Sequence, residues 1–405
     1  MLVASASVTM ATDYGDPPPG QASGRLAIVA GTILTVTSGE ISPGVLLIHD
    51  GKIAAVQAGT TTPPGYEVLD AANCVVLPGL VDAHTHLGLR DVPAIPETLE
   101  FNENTKPFTA ELRVEDSIDP TNHAFRTALS RGTTTAVVLP GSSNLIGGLG
   151  IVVKTAGDNL EAMTIDAPRI LKAALGMNPK SAYGRKSRSP KTRMAAAAML
   201  RERFEAARRY VKERDRGDSD EIDVELEPLA RAIAGQVHVH FHAARADDLL
   251  TVLSIVEEFG LHASIGHAYE GYLIAEELAR SGVPVVLGPK LAGWFRGVPP
   301  DAPINVAGSM IAAGVDVSLM TDGYVDDLFL QAAYAIRLGL PSDDALRAIT
   351  INPARLIGLE DRIGSLDPGK DADIVILDGR PFDPRTRVVK VLIEGEVVFE
   401  TNSFP

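Results

Sequence analysis

Apolar and polar positions follow two rhythms along this chain. From residue 25 to 76, short β-rich runs are broken by Gly and Pro turns: "RLAIVAGTILTV", "GVLLIHDGKIAAV" and "YEVLDAANCVVLP". Such runs, with a tight turn at Asp50-Gly51, predict β-hairpins. The far end repeats the style in "DADIVILDG" and "VVKVLIEGEVVFE". Residues 25–76 and 365–405 are therefore expected to pair into one small β-sandwich domain, in which His49 is a turn residue with no catalytic role. Residues 77–364 instead alternate apolar strands with helical patterns such as "ADDLLTVLSIVEEF", the signature of βαβ units. Strands are expected near 81–86, 133–139, 151–155, 169–175, 237–242, 262–267, 283–288 and 316–321. That alternation predicts an α/β fold, a (β/α)8 TIM barrel, with its chemistry at the C-terminal ends of the strands. The Arg-rich stretch "PKTRMAAAAMLRERFEAARRYVKE" reads as a solvated helical excursion rather than a lid over an anionic substrate.

Composition adds limits. The 405 residues give room for a barrel and a smaller second domain. A net charge of -15 argues against a nucleic-acid partner. No apolar run is long enough to cross a bilayer, so no membrane partner is expected. Residues 1–24 lack a basic start and a long apolar stretch, and read as a flexible leader rather than a signal peptide. The single cysteine, Cys74, excludes an intrachain disulfide and suits a reducing cytoplasm. The expected partner is a small-molecule or peptide substrate; a homo-oligomer is compatible with the sequence.

Chemistry concentrates at the strand ends. "LPGLVDAHTHLG" places His84 and His86 on one face of the first barrel strand. "VHVHFHAARADD" lines His238, His240 and His242 along one face of the fifth, with only His242 at the C-terminal end. His238 and His240 lie deeper and read as structural or supporting. "HASIGHAYEG" ends the sixth strand with His267, whereas His262 opens it at the wrong end; His123 sits on a helical stretch. "DVSLMTDG" ends the eighth with Asp322. Four histidines and an aspartate from four strands at one rim point to a site for one or two divalent metals, zinc first among them. "PRILKAALG" aims Lys172 into the same interior. Burial lowers a lysine's pKa, and a neutral amine can take up carbon dioxide as a carbamate able to bridge two metals.

These motifs, with the closing "GSLDPGKDADIVILDG", resemble the amidohydrolase superfamily of metal-dependent hydrolases. "PGSSNLIGGLGIVVKTAG", "RADD", "HAYEG" and "TINPARLIGLEDRIGSL" resemble its imidazolonepropionase-related, dipeptidase-like branch. The resemblance implies that His84, His86 and Asp322 bind the more buried metal. It implies that carboxylated Lys172 bridges to a second, held by His242 and His267. Two positions depart from the pattern: Gly323 and Ala244 stand where close relatives often carry histidines, though neither is a ligand there. The expected reaction is hydrolysis of a C–N amide bond in a peptide or peptide-like substrate by metal-activated water. Asp322 would take the proton and pass it to the leaving nitrogen. A cyclic amide such as a lactam, hydantoin or imidazolone is the alternative, and modified natural-product peptides are within reach of such relatives. A deaminase would want a glutamate three residues after the fifth-strand histidine, where "HAAR" has none. A non-catalytic binding module would have lost ligands, and none is lost. Substrate contacts are expected from loops after the strands: Asn144, Arg245, Tyr269, Trp294, Arg296 and Tyr324, with Trp294 the first choice for a substrate wall.

Overall fold

The computed structural model describes residues 24–91, 95–217, 221–289, 305–323 and 327–401. The chain opens with β1 (Arg25–Leu34), β2 (Glu40–Ile41), β3 (Gly44–His49), β4 (Lys52–Ala58) and β5 (Glu67–Pro78). The barrel follows as β6 (Leu80–Thr85), β7 (Thr133–Val138), β8 (Ile146–Lys154), β9 (Ile170–Ala174), β10 (His238–Ala243), β11 (Ala263–His267), β12 (Val285–Leu287) and β13 (Val317–Leu319). The chain returns in β14 (Ile374–Leu377), β15 (Val388–Ile393) and β16 (Glu396–Glu400).

Both chain ends build one sheet, ordered β16-β15-β14-β5-β1-β3-β4, with β2 on β1. The β3–β4 hairpin turns at Asp50 and Gly51, whose φ values of 50° and 74° are those of the turn that matches strand twist. One face of this sheet buries Ile28, Ile33, Leu46, Ile48, Ile374 and Ile376 as a core of its own.

The other sheet runs β6 through β13 in chain order. Its two ends meet where the Asp322 amide donates to the His84 carbonyl at 3.1 Å, so the barrel is nearly closed. One strand departs from the expected all-parallel pattern: β8 is antiparallel to both β7 and β9. The reason is connection length. Only residues 139–145 separate β7 from β8, too few for the crossover that parallel neighbours require. The strand expected at 151–155 is only the second half of this longer one.

A second correction concerns the Arg-rich helix Arg193–Asp215, expected as a solvated excursion. Its Ala196, Leu200, Phe204 and Ala207 recur at helical spacing and are buried. Phe204 meets Phe259 of the helix Ala246–Phe259 at 5.2 Å. Arg201 pairs with Glu258 at 2.6 Å, and Arg208 lies over the Phe259 ring. The helix is part of the barrel's outer layer. Among the described residues no helix is long and apolar enough to cross a membrane.

Candidate metal centre

Period-2 alternation along β6 and just beyond it sends Asp82, His84 and His86 to one side, and all three are buried. Asp82 ties this strand to the last one. Its carboxylate accepts from the Thr321 hydroxyl at 2.6 Å and from the amides of Thr321 and His84. Burial pushes its pKa up to about 7 against those three donors. Asp322 follows, and one of its oxygens lies 3.5 Å from His84 Nε2 and 3.6 Å from His86 Nε2. His267 and Asp322 both adopt left-handed backbone, with φ of 72° and 58°. Such conformations cost energy in non-glycine residues and cluster at functional sites.

The ring nitrogens facing away from the site have partners. His86 Nδ1 donates to the Leu139 carbonyl at 2.7 Å. His267 Nδ1 lies 2.8 Å from the Gly288 carbonyl and 3.2 Å from the Tyr269 hydroxyl. A carbonyl can only accept, so each Nδ1 donates, and either ring in its neutral form then presents its Nε2 lone pair to the centre. Ligand atoms of His84, His267 and Asp322 lie within 4.8 Å of one another. The rings of His242 and His267 stand 4.2 Å apart. Fully buried Lys172 places Nζ 3.1 Å from His84 Nε2.

Burial, reinforced by mutual repulsion and by Lys172, holds His84 and His242 well below the usual histidine range. It takes His86 down to about 3. Burial also lowers Lys172 to about 7, although the Asp322 carboxylate opposes the shift. The imidazoles are therefore neutral, the state in which histidine binds metal. His242 Nδ1 is buried with no hydrogen-bond partner among the described residues, a cost that a bound cation would remove. The donor set suits a zinc-type divalent ion. A cavity of about 510 Å³ opens above these side chains, walled by His86, His242, His267 and Asp322 on one side.

The sequence pattern of the Amidohydrolase family matches residues 75–398. The chain belongs to the amidohydrolase family. This family is metal-dependent, its members hydrolyse C–N bonds in small-molecule substrates, and this amidohydrolase is such an enzyme. A solved amidohydrolase from Thermotoga maritima MSB8 is 35% identical, with a TM-score of 0.87 over 93% of this chain and 100% of that one. An imidazolonepropionase from Rhizorhabdus wittichii is 29% identical over 383 residues, 87% of this chain and 92% of that protein. The amidohydrolase tasK from Hapsidospora irregularis is 28% identical over 95% of this chain. The match spans only 42% of tasK's own length.

Not all expected substrate contacts of this amidohydrolase face the cavity. Asn144 is buried and engaged on all sides: its amide nitrogen donates to the Glu103 carbonyl and the Thr109 hydroxyl, and its oxygen accepts from Tyr183, each at 2.7–2.8 Å. Its side chain thus braces the loop after β7. Arg245 precedes the helix Ala246–Phe259 and pairs with Asp247 at 3.0 Å, pointing at its own helix start. Tyr269 stays beside His267. Trp294, Arg296 and Tyr324 lie outside the described residues.

The cavity also exposes residues that sequence reasoning missed. Phe101 stacks on His86 at 5.3 Å and supplies an aromatic wall. Asn102, Ser142 and Ser143 also line the cavity, as does a second group, Asn178, Ser181, Arg185 and Lys186. The second group lies in the helix Met177–Gly184 and just after it. It directly follows the Lys172 strand, where the barrel rule locates substrate loops. Phe101 and Asn102 come from the excursion between β6 and β7, which has no periodicity to read.

Proposed function

We propose that this amidohydrolase cleaves the amide bond of a peptide or peptide-like substrate that carries a carboxylate. The observation that carries the reading is the basic pair Arg185 and Lys186, which line the same cavity as His86, His242 and His267. Lys186 Nζ reaches Asn104 at 3.5 Å, and Arg185 forms no ion pair among the described residues. An otherwise acidic protein that keeps two cations at this mouth is suited to an anionic group, which an Arg fork holds in one orientation.

In this proposal His84, His86 and Asp322 would hold one divalent ion, zinc first among the candidates, and His242 and His267 would hold a second. Lys172, as a carbamate, would supply a further anionic ligand to them. Its neutral amine adds to carbon dioxide and releases a proton, a step favoured by its depressed pKa. Metal bound there supplies an activated water and polarises the scissile carbonyl. Asp322 accepts the proton of the attacking water and returns it to the leaving nitrogen, so that a carboxylate and an amine are released. Phe101 and the Asn102, Ser142 and Ser143 edge bound the acyl side, while Arg185 fixes the far carboxylate.

A ring-opening reaction on a cyclic amide is the second reading, favoured by the near full-length similarity to an imidazolonepropionase. Deamination is disfavoured because Glu270 of "HAYE" is engaged as an acceptor from the Ala246 amide at 2.9 Å.

The test is a panel of dipeptides, N-acyl amino acids, their neutral amides, hydantoins and lactams, run with wild type and Arg185→Ala. We expect turnover of linear acids, with a KM that rises about 10-fold in the variant because a charged hydrogen bond is lost. Turnover confined to cyclic or uncharged amides, unchanged by the substitution, would refute the reading.

A further inference from the structure

Three of the site's imidazoles look outward at something, and His84 differs from the other two. His86 and His267 lean on carbonyls, which can only accept. His84 Nδ1 leans on another imidazole, His240 Nε2, at 3.0 Å. A second ring does not by itself say which nitrogen carries the proton. If His240 gave its proton to His84 Nδ1, the remaining His84 hydrogen would sit on Nε2 and face the centre, where it blocks a metal.

The rest of the contact chain accommodates one consistent order of donors and acceptors. His240 Nδ1 lies 2.8 Å from Ser264 Oγ, and the same hydroxyl lies 2.7 Å from His238 Nε2. A hydroxyl has one hydrogen and two lone pairs, so it donates to at most one of the two rings and can accept from the other. At the opposite end, the Lys172 amine stands 3.1 Å from His84 Nε2 with hydrogens to donate. With His84 Nε2 as the acceptor of the Lys172 amine, the His84 Nδ1–H donates to His240. His240 Nδ1–H then donates to Ser264, and Ser264 donates to His238. All of these groups but the last are almost wholly buried. His238, only half-buried, lines a cavity of about 420 Å³ at the opposite end of the barrel, where solvent can satisfy its other nitrogen.

Strand register explains how the chain is assembled. His240 pairs with Lys172 on one neighbouring strand and with Ser264 on the other, so all three share one layer of the barrel. Gly266 leaves the room: a Cβ there would fall 2.5 Å from His240 Nε2 and 3.4 Å from His84 Nδ1.

We infer that His240 and Ser264 are positioning residues that fix the tautomer of His84 and so hold its Nε2 lone pair toward the metal centre. The inference rests on the metal-site reading proposed above. It assigns a role to the "VHVHFH" strand beyond its one end residue.

The test uses full-length protein stripped with a chelator and titrated with zinc, read as dissociation constant rather than turnover. His240→Phe keeps a ring but removes both nitrogens, and is expected to weaken zinc about 10- to 100-fold, as loss of a ligand's supporting partner does. Ser264→Ala is expected to weaken it less, about 3- to 10-fold. His240→Gln restores an acceptor and is expected to recover part of the loss. Long-range proton–nitrogen NMR of stripped wild type gives an independent reading even if a variant fails to fold. His84 should carry its hydrogen on Nδ1, and in Ser264→Ala both tautomers should be present. Zinc affinity equal to wild type in both variants, or a stripped wild type with the His84 hydrogen on Nε2, would overturn this inference alone. Wild type that takes up no zinc would overturn the metal reading along with it.

Discussion

Two buried polar clusters sit at opposite ends of the barrel, and they are built on opposite principles. At the bottom, where β8 ends against the terminal sheet, Lys154 lies 2.5 Å from Asp373 and 3.3 Å from Asp371. Asp371 also takes Arg362 at 2.9 Å and a close contact from Lys52. Burial alone would raise the Asp371 carboxyl, yet the Lys52 hydrogen bond and the Lys154 and Arg362 charges hold it below its ordinary value. Every charge there faces its opposite. At the top, burial has stripped the imidazoles of their charge, and His242 Nδ1 has no partner among the described residues. The lower cluster is complete in itself and joins barrel to sheet. The upper one leaves a buried nitrogen that a bound cation would satisfy. Perturbed pKa values occur in both, so perturbation alone does not mark function.

Substitutions should separate the two ends. The largest effect is expected from Asp322→Asn, with kcat/KM falling about 1,000-fold or more because the proton carrier and a ligand oxygen are altered together. Its melting temperature should stay within a few degrees of wild type; a collapse of stability instead would make the top cluster structural after all. Lys154→Ala reverses the pattern. It leaves the buried Asp373 carboxylate without its cation while Asp371 keeps Arg362 and Lys52, and should cost ~3–5 kcal/mol in urea unfolding, with kcat per folded molecule little changed. Loss of turnover without loss of stability would erase the distinction. The smallest effect concerns pH. Burial, aided by His262, depresses His238 from its ordinary 6.5 to about 4. The unfolded chain then binds a proton that the folded chain refuses between those values, so stability present above pH 6.5 declines as pH falls toward 4. Comparison of urea midpoints at pH 7 and pH 5 should show a shallower decline for His238→Asn. Parallel declines would remove His238 as a contributor.

Much of this organisation was legible before any coordinates. Period-2 spacing placed His84 with His86, and strand ends collected His242, His267 and Asp322, because strand geometry converts sequence position directly into facing. The antiparallel β8 was not legible from its apolar run; the short connection before it carried that signal. The Arg193–Asp215 stretch reads as an amphipathic helix, but its charge favours a solvated excursion, whereas Ala196, Leu200, Phe204 and Ala207 are buried in the barrel's outer layer. Asn144 showed the opposite failure. A polar residue in a Gly-rich loop reads as a substrate contact, whereas its amide is consumed by Tyr183, Thr109 and Glu103. The His240–Ser264–His238 chain needed cross-strand register, which no single segment encodes. Phe101 and Arg185 come from irregular segments, where only the fold reveals what faces the cavity.

The most direct test of an unfinished upper cluster is metal content per chain on protein purified without chelators, measured for wild type, His242→Ala and Lys154→Ala. We expect about two divalent ions in wild type and in Lys154→Ala, and a clear drop in His242→Ala. No bound metal in wild type, or content indifferent to His242 but lost with Lys154, would contradict the account.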